Sequence, residues 1–430
     1  MKNKFDKNQK SLLIVHALRV ILELFTSTFM TSYILSLNPE NVLGSGVYNI
    51  GIFYISWFGI YAVLYFLISF FVDKSNRVSY LRIGIIVNIF LLAALVIWGD
   101  IISQWIVLAG ALCGISDAFY YSSYLIMRNE LNARKSMKKY NLANYIFTNC
   151  IKIIIPILLG LLIDITTYSH IAIYVLVLTI LQFIITFMIN SKKPENSSFE
   201  LKKYFKKLKQ NKELRSKIKY TYLNAFVTGF KTTYKFLVTI LTIYTFKTNL
   251  SLGIFTSIFA IVTMILLIIY KRFDTSPKVN KFIIYLLLGV LPFAACILLV
   301  LNLNTTTLVI YNLFLSITIG FSDYFGTVER DAIIKNLNLH EYIAEHQLCY
   351  EIITCFTRII ACTIFIIVGL IGHINAFKIL LIFLLLINPI KYFMMYKQRE
   401  IRKELEETQN VQSLEFSDTL TLPNDTPPQV

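Results

Sequence analysis

Apolar positions in this chain run in twelve long stretches separated by short polar breaks, at approximately 11–37, 47–72, 80–98, 101–127, 141–164, 168–190, 220–246, 249–270, 281–302, 305–328, 342–370 and 374–396. Each approaches or exceeds the roughly 20 mostly apolar residues that a helix needs to cross the hydrocarbon core of a bilayer. The first stretch is too long for a signal-peptide core and no small-residue cleavage site with a soluble domain follows it, so it is read as the first span. The prediction is an all-α integral membrane protein with twelve transmembrane helices.

One break is longer than the rest. Residues 191–219 are dense in Lys and separate six spans from six spans. Within the break Leu201, Tyr204, Phe205 and Leu208 follow the i, i+3, i+4, i+7 spacing of one helical face, with Lys202, Lys203, Lys206, Lys207 and Lys209 around them, which predicts a helix lying on the inner membrane surface. The expected organisation is an N-terminal six-helix bundle at 1–190, a basic cytoplasmic linker with its amphipathic helix at 191–219, a C-terminal six-helix bundle at 220–398 and a tail at 399–430. That tail turns acidic and ends in a Pro-rich run, and its low apolar content predicts disorder.

A repeated phrase ties the two halves together. Gly114, Ser116, Asp117 and Phe119 recur as Gly320, Ser322, Asp323 and Phe325, each time in the fourth apolar stretch of its half. Recurrence at equivalent places is the mark of an internally duplicated membrane protein, and two pseudo-symmetric bundles point to a transporter.

Composition agrees: 56% apolar and 15% charged residues over 430 positions exceed what a soluble core can use. The formal net charge of +16 arises because Lys and Arg crowd into the termini and the alternate loops on their side. The positive-inside rule then places both termini and the central loop in the cytoplasm. No soluble domain exists to present a nucleic-acid surface, so nucleic acid is excluded as a partner. Cys113, Cys150, Cys296, Cys349, Cys355 and Cys362 lie in or at the ends of apolar stretches and read as reduced packing residues.

Ionisable residues inside spans cost about 2.5–3.5 kcal/mol at a helix centre on insertion scales, so each needs a partner or a water-filled cavity. Span 1 carries Arg19 and Glu23 one turn apart, able to neutralise each other. Span 7, its counterpart, carries Lys231 and Lys235 at the same spacing, and these need anions from elsewhere. Asp117 and Asp323 stand on spans 4 and 10, with Tyr121 and Tyr124 at i+4 and i+7 from Asp117. Spans 5 and 11 add Lys152, Glu351 and Arg358. Two readings stay open for the aspartates: a cavity or gating role, or helix–helix hydrogen bonding where the glycines let backbones approach. Arg19 with Glu23 reads equally as a structural ion pair or a coupling site. His16 reads as an interfacial residue, and Glu329, Arg330 and Asp331 as loop charges or gate contacts.

Between spans 2 and 3 the stretch from Ser69 to Arg77 places Asp73, Lys74 and Arg77 at the charged positions of a Gly-x-x-x-Asp-Arg-x-Gly-Arg pattern, with Ser69 and Asn76 in place of glycines. With this motif and the six-plus-six arrangement, the chain resembles the major facilitator superfamily over nearly its whole length. That resemblance implies a cytoplasmic gate at Asp73, Lys74 and Arg77, and a central cavity lined by spans 1, 4, 7 and 10 and flanked by 2, 5, 8 and 11. The loop from Lys271 to Pro277 keeps charge but not the pattern, which implies an asymmetric gate. The glycine-rich fifth span of the superfamily's drug–proton antiporters is matched here only by Pro156 and Gly160, so drug antiport lacks its signature.

No phosphate loop, HExxH or CxxC motif is present, and no catalytic residue, metal site or cofactor is expected. The function predicted is secondary active transport of a small polar or anionic solute by alternating access in the inner plasma membrane, by a monomer, with protons as the default coupling ion. Five mid-span cations against four carboxylates favour an anion over a lipophilic cation. The alternatives are multidrug or lipid efflux by the same fold, and a non-cycling receptor.

Overall fold

The computed structural model describes residues 5–37, 41–72, 76–131, 134–190, 199–246, 248–274, 280–337 and 339–420, and these form helices with no strand. The spans are Lys7–Ser36, Leu43–Ser69 and Arg77–Trp98, then Ile106–Leu131, Arg134–Ile165 and Tyr168–Ile185. After the linker come Lys212–Phe246, Asn249–Asp274, Lys281–Leu301, Thr305–Asn336, Ile343–Ile371 and Ile374–Leu420. Among the described residues eleven helices are long and apolar enough to cross a membrane. Span 7 stands in the remaining place; it has 35 residues, and Lys231 and Lys235 lower its mean hydropathy.

Polar residues that would cap a soluble helix sit at the same points of both halves. Asn76 accepts a hydrogen bond from the Val78 amide at 3.1 Å at the start of span 3. Asn280 accepts one from the Phe282 amide at 3.0 Å at the start of span 9. Each satisfies a donor that the first turn leaves orphaned.

Most of the packing is duplicated, although spans 10 and 12 pack together and their counterparts 4 and 6 do not. Span 1 lies on 5 and 6, span 2 on 4, and span 3 on 4 and 6; equivalently 7 lies on 11 and 12, 8 on 10, and 9 on 10 and 12. The halves meet where 2 crosses 11 and 5 crosses 8, two contacts exchanged by the same pseudo-two-fold. Polarity is inverted relative to a soluble protein. Ile154, Leu158, Ile180, Ile184, Leu298 and Leu386 point outward, whereas Arg19, Asn88, Gln182, Asn312 and Asn388 are buried.

Two expectations change outside the bundle. The linker helix, Leu201–Gln210, lays Tyr204 and Leu208 on protein rather than on lipid, against Ile218, Ile334 and Leu339. Of the predicted apolar face only Phe205 is left exposed. The segment from Glu404 continues span 12 as a helix to Leu420. Its Glu, Leu and Gln content favours helix, and charge pairs anchor its first turns: Arg402 Nε lies 2.8 Å from Glu329 and Lys217 Nζ 3.1 Å from Glu404. The last ten residues of the tail lie outside the described residues.

Candidate functional site

Span 1 and span 4 bring one cation to two carboxylates. The Arg19 guanidinium pairs with Asp117, donates to the Ser116 hydroxyl at 3.2 Å and lies 3.4 Å from Glu23. Asp117 also accepts from the Trp57 indole at 2.9 Å. Glu23 accepts from the Tyr121 hydroxyl and is one-third exposed, whereas Arg19 is only 3% exposed. A guanidinium so deep costs several kcal/mol unless paired, and the two carboxylates remove that cost. Ser116 in turn donates to the Gly84 carbonyl at 2.8 Å, where spans 3 and 4 meet backbone to backbone. The small residues of the phrase close the helix packing while its aspartate holds a cation. Tyr124 takes a different place from Tyr121. It stacks on His16 with ring centroids 4.1 Å apart in the packed core of the half, and His16 also meets the Tyr120 hydroxyl at 3.3 Å.

Spans 7 and 10 repeat the motif with other residues. Lys231, nearly buried, pairs with Asp323, which is 51% exposed. The side chain of Lys235 lies outside the described residues. Lys152 on span 5 is exposed, and among the described residues it makes no ion pair.

Span 11 faces span 2 across the seam. Glu351 accepts from Tyr61 at 3.2 Å and from Gln347 at 2.8 Å. Arg358, two turns from Glu351 on the same helix, lies over the Phe58 ring at 5.1 Å, a cation–π contact between halves. That separation along the helix is too far for a direct pair. Of the gate motif, Arg77 is buried at the start of span 3, while Asp73 and Lys74 lie outside the described residues, as do Thr275, Ser276 and Pro277 of the loop after span 8.

The two ends of the bundle differ. At the end away from the termini, spans 5 and 8 touch backbone to backbone: a Cβ on Gly253 would come 2.2 Å from the Pro156 carbonyl oxygen, and one on Gly160 would come 2.4 Å from that of Asn249. Asp164 caps span 8 through the amides of Asn249 and Leu250 at 3.1 and 2.8 Å. Asn249 accepts from Ser32 at 2.6 Å and from Tyr168 at 2.8 Å. Tyr54 stacks on Phe236 at 3.8 Å between centroids. At the end that carries the termini, a small pocket of about 30 Å³ lies among spans 2, 4, 10 and 11, lined by Tyr65, Ser122, Arg128, Ile334 and Gln347 among others.

Sequence reasoning passed over Trp57, Tyr61 and Lys391. Lys391 was legible as a mid-span lysine two residues after Pro389; the other two are ordinary aromatics whose partners come from other spans. Among the described residues no group of three or more His, Cys, Asp or Glu could hold a metal.

Two pseudo-symmetric six-helix halves, each with an ion pair buried between its first and fourth spans, have the architecture of a membrane transporter. A sequence profile of the Major Facilitator Superfamily matches residues 20–328, and the chain belongs to that family. A comparison with curated protein sequences finds no match. Among solved structures the chain is similar to a bacterial homologue of the human lysosomal transporter Spinster, in an inward-facing and unoccupied conformation, with a TM-score of 0.57 and 11% identity over 94% of this chain and 99% of that one.

Proposed function

We propose that this protein is a secondary active transporter that moves a small polar or anionic solute across the plasma membrane by alternating access, with the sealed end outside and both termini in the cytoplasm. The observation that carries the reading is the pair of pseudo-symmetric ion pairs, Arg19–Asp117 and Lys231–Asp323, each joining the first and fourth spans of its half. Glu23 and Asp323 are its solvent-reached carboxylates and the candidate proton carriers. The basic loops beside the termini support the orientation, and the inward-facing state of the Spinster homologue supports the matching assignment of the pocket. Arg77 belongs to the inner gate.

The test is maleimide labelling of Ala344→Cys in the pocket and of Ile366→Cys at the sealed seam, each measured above the background of the unsubstituted protein in oriented membranes. Reciprocal changes in the two rates when an ion gradient is applied support alternating access. Rates that never change would sink it.

A further inference from the structure

The two crossings between the halves are exchanged by the pseudo-two-fold, yet at the end away from the termini they are closed by different chemistry. Where span 2 meets span 11 the close approaches involve apolar side chains: a Cβ on Gly51 would come 2.2 Å from the Ile366 side chain, and one on Gly369 would come 2.9 Å from that of Val47. Where span 5 meets span 8 the same two places are taken by Gly253 against Pro156 and by Gly160 against Asn249. Here a polar cluster is added. Spans 1, 5 and 6 of the N-terminal half converge on the first residue of span 8: Asn249 Oδ1 accepts from Ser32 at 2.6 Å and from Tyr168 at 2.8 Å, and its Nδ2 donates to Asp164 at 3.0 Å. Asp164 also accepts from the Asn249 and Leu250 amides at 3.1 and 2.8 Å. Tyr33 stacks on Tyr168 with ring centroids 4.4 Å apart, which fixes the ring that carries one of the donors.

This cluster does more than finish a helix. Span 8 has a cap of its own, since Thr248 Oγ1 accepts from the Ser251 amide at 3.3 Å and donates to the Ser251 hydroxyl at 2.7 Å. The two amides that this cap leaves free are the ones that reach across to Asp164 in the other half. The carboxylate also faces the positive end of the span 8 dipole. Parting the apolar crossing exposes hydrocarbon to water, whereas hydrogen bonds at an exposed carboxylate are exchanged for water bonds with little net change in free energy. The polar crossing is therefore the one built to release and re-form. We propose that Asp164 and Asn249 are the latch of the outer gate: their bonds hold the sealed state, and their release lets both crossings part, because each half moves as a packed unit. This inference rests on the transport reading and names the residues that set the balance between its states.

The experiment uses the full chain in oriented membranes, with maleimide labelling of Ile366→Cys on the apolar crossing and of Ser169→Cys beside the polar one. Each reporter is combined with Asp164→Ala, with Asn249→Ala or with Thr248→Ala. The expected result is a rise of about tenfold at Ile366→Cys in both latch variants, the loss expected for hydrogen bonds to a charged group, and no change in Thr248→Ala, which removes bonds inside span 8 and none between the halves. A rise at Ser169→Cys without one at Ile366→Cys would mean local fraying and would overturn the latch. So would unchanged rates, a rise in only one of the two latch variants, or an equal rise in Thr248→Ala. The Ala344→Cys and Ile366→Cys labelling of the otherwise unsubstituted protein under an ion gradient is run in parallel. Reciprocal changes there without an effect of the latch variants remove this inference and leave the transport reading intact; rates that never change in any of the proteins remove both.

Discussion

Asp117 and Asp323 do the same thing in the two halves of this chain: each carboxylate, on the fourth span of its half, takes the cation of the first, Arg19 in one case and Lys231 in the other. The equivalence extends to the small residues around them, since a Cβ added at Gly114 would come 2.4 Å from the Trp57 carbonyl and one at Gly320 would come 2.1 Å from the Thr263 side chain. The difference lies in what else is near: Arg19 keeps a second carboxylate in Glu23 at 3.4 Å, whereas the carboxylate of Lys231 is half exposed.

Asp323→Asn is therefore expected to destabilise the protein more than Asp117→Asn, because it leaves the nearly buried Lys231 ammonium beside a neutral amide, whereas Arg19 keeps Glu23. Removing one partner of a fully buried pair costs about 3–5 kcal/mol; both variants should fall below that range, the Asp323 variant because its carboxylate is half exposed and the Asp117 variant because Glu23 remains 3.4 Å from Arg19. Urea or thermal unfolding of the three proteins in one detergent checks the order; equal losses for the two asparagine variants would contradict it.

Gly253→Leu should open the sealed end. The Cβ it adds meets the Pro156 carbonyl oxygen at 2.2 Å, a backbone atom that no rotamer change can move aside. Spans 5 and 8 must separate, and the Asp164 cap on span 8 separates with them. The expected readout is a several-fold rise in maleimide labelling of a cysteine placed at Ser169, near the sealed end, with a fall at Ala344. An unchanged ratio would mean that the crossing does not close the path.

Tyr204→Ala should release the linker helix. Tyr204 is fully buried, its hydroxyl lies 2.5 Å from that of Tyr222 and 3.1 Å from His346 Nδ1, and the Glu200 amide donates to Glu345 at 2.7 Å beside it. A buried hydrogen-bonded aromatic truncated to Ala costs about 3–5 kcal/mol at its site, enough to detach a ten-residue helix without unfolding the bundle. Limited trypsin digestion at Lys202, Lys203 and Lys206 should accelerate at least tenfold, while Phe205→Ala, an exposed position, should leave the rate unchanged.

The spans themselves were legible because a lipid-facing helix must be apolar on its outer face and satisfy its backbone internally, which leaves a hydropathy signal in every window. That signal faded at span 7, where Lys231 and Lys235 interrupt it, and the helix survives there because Asp323 neutralises the first of them. The linker helix shows the limit of a face argument: its i, i+3, i+4, i+7 spacing correctly gave a buried side, but whether that side meets lipid or protein depends on the ends of spans 7, 10 and 11. Composition alone likewise misread the start of the tail, since Arg402 and Glu404 find their partners on Glu329 and Lys217 only after the bundle assembles.

What the sequence determined by itself was local or cumulative: the class, the twelve crossings, the duplication, and the residues whose charge has to be paid for inside a bilayer. What the tertiary structure decided was which charges meet. Arg19 met Asp117 from span 4, Tyr61 met Glu351 from span 11, Arg358 met the Phe58 ring from span 2, and Lys231 met Asp323 from span 10. Side-chain pairing across helices follows from crossing points and register, which are set by small residues such as Gly253 and Gly114 meeting backbones far away in sequence, and no window of the chain contains both partners.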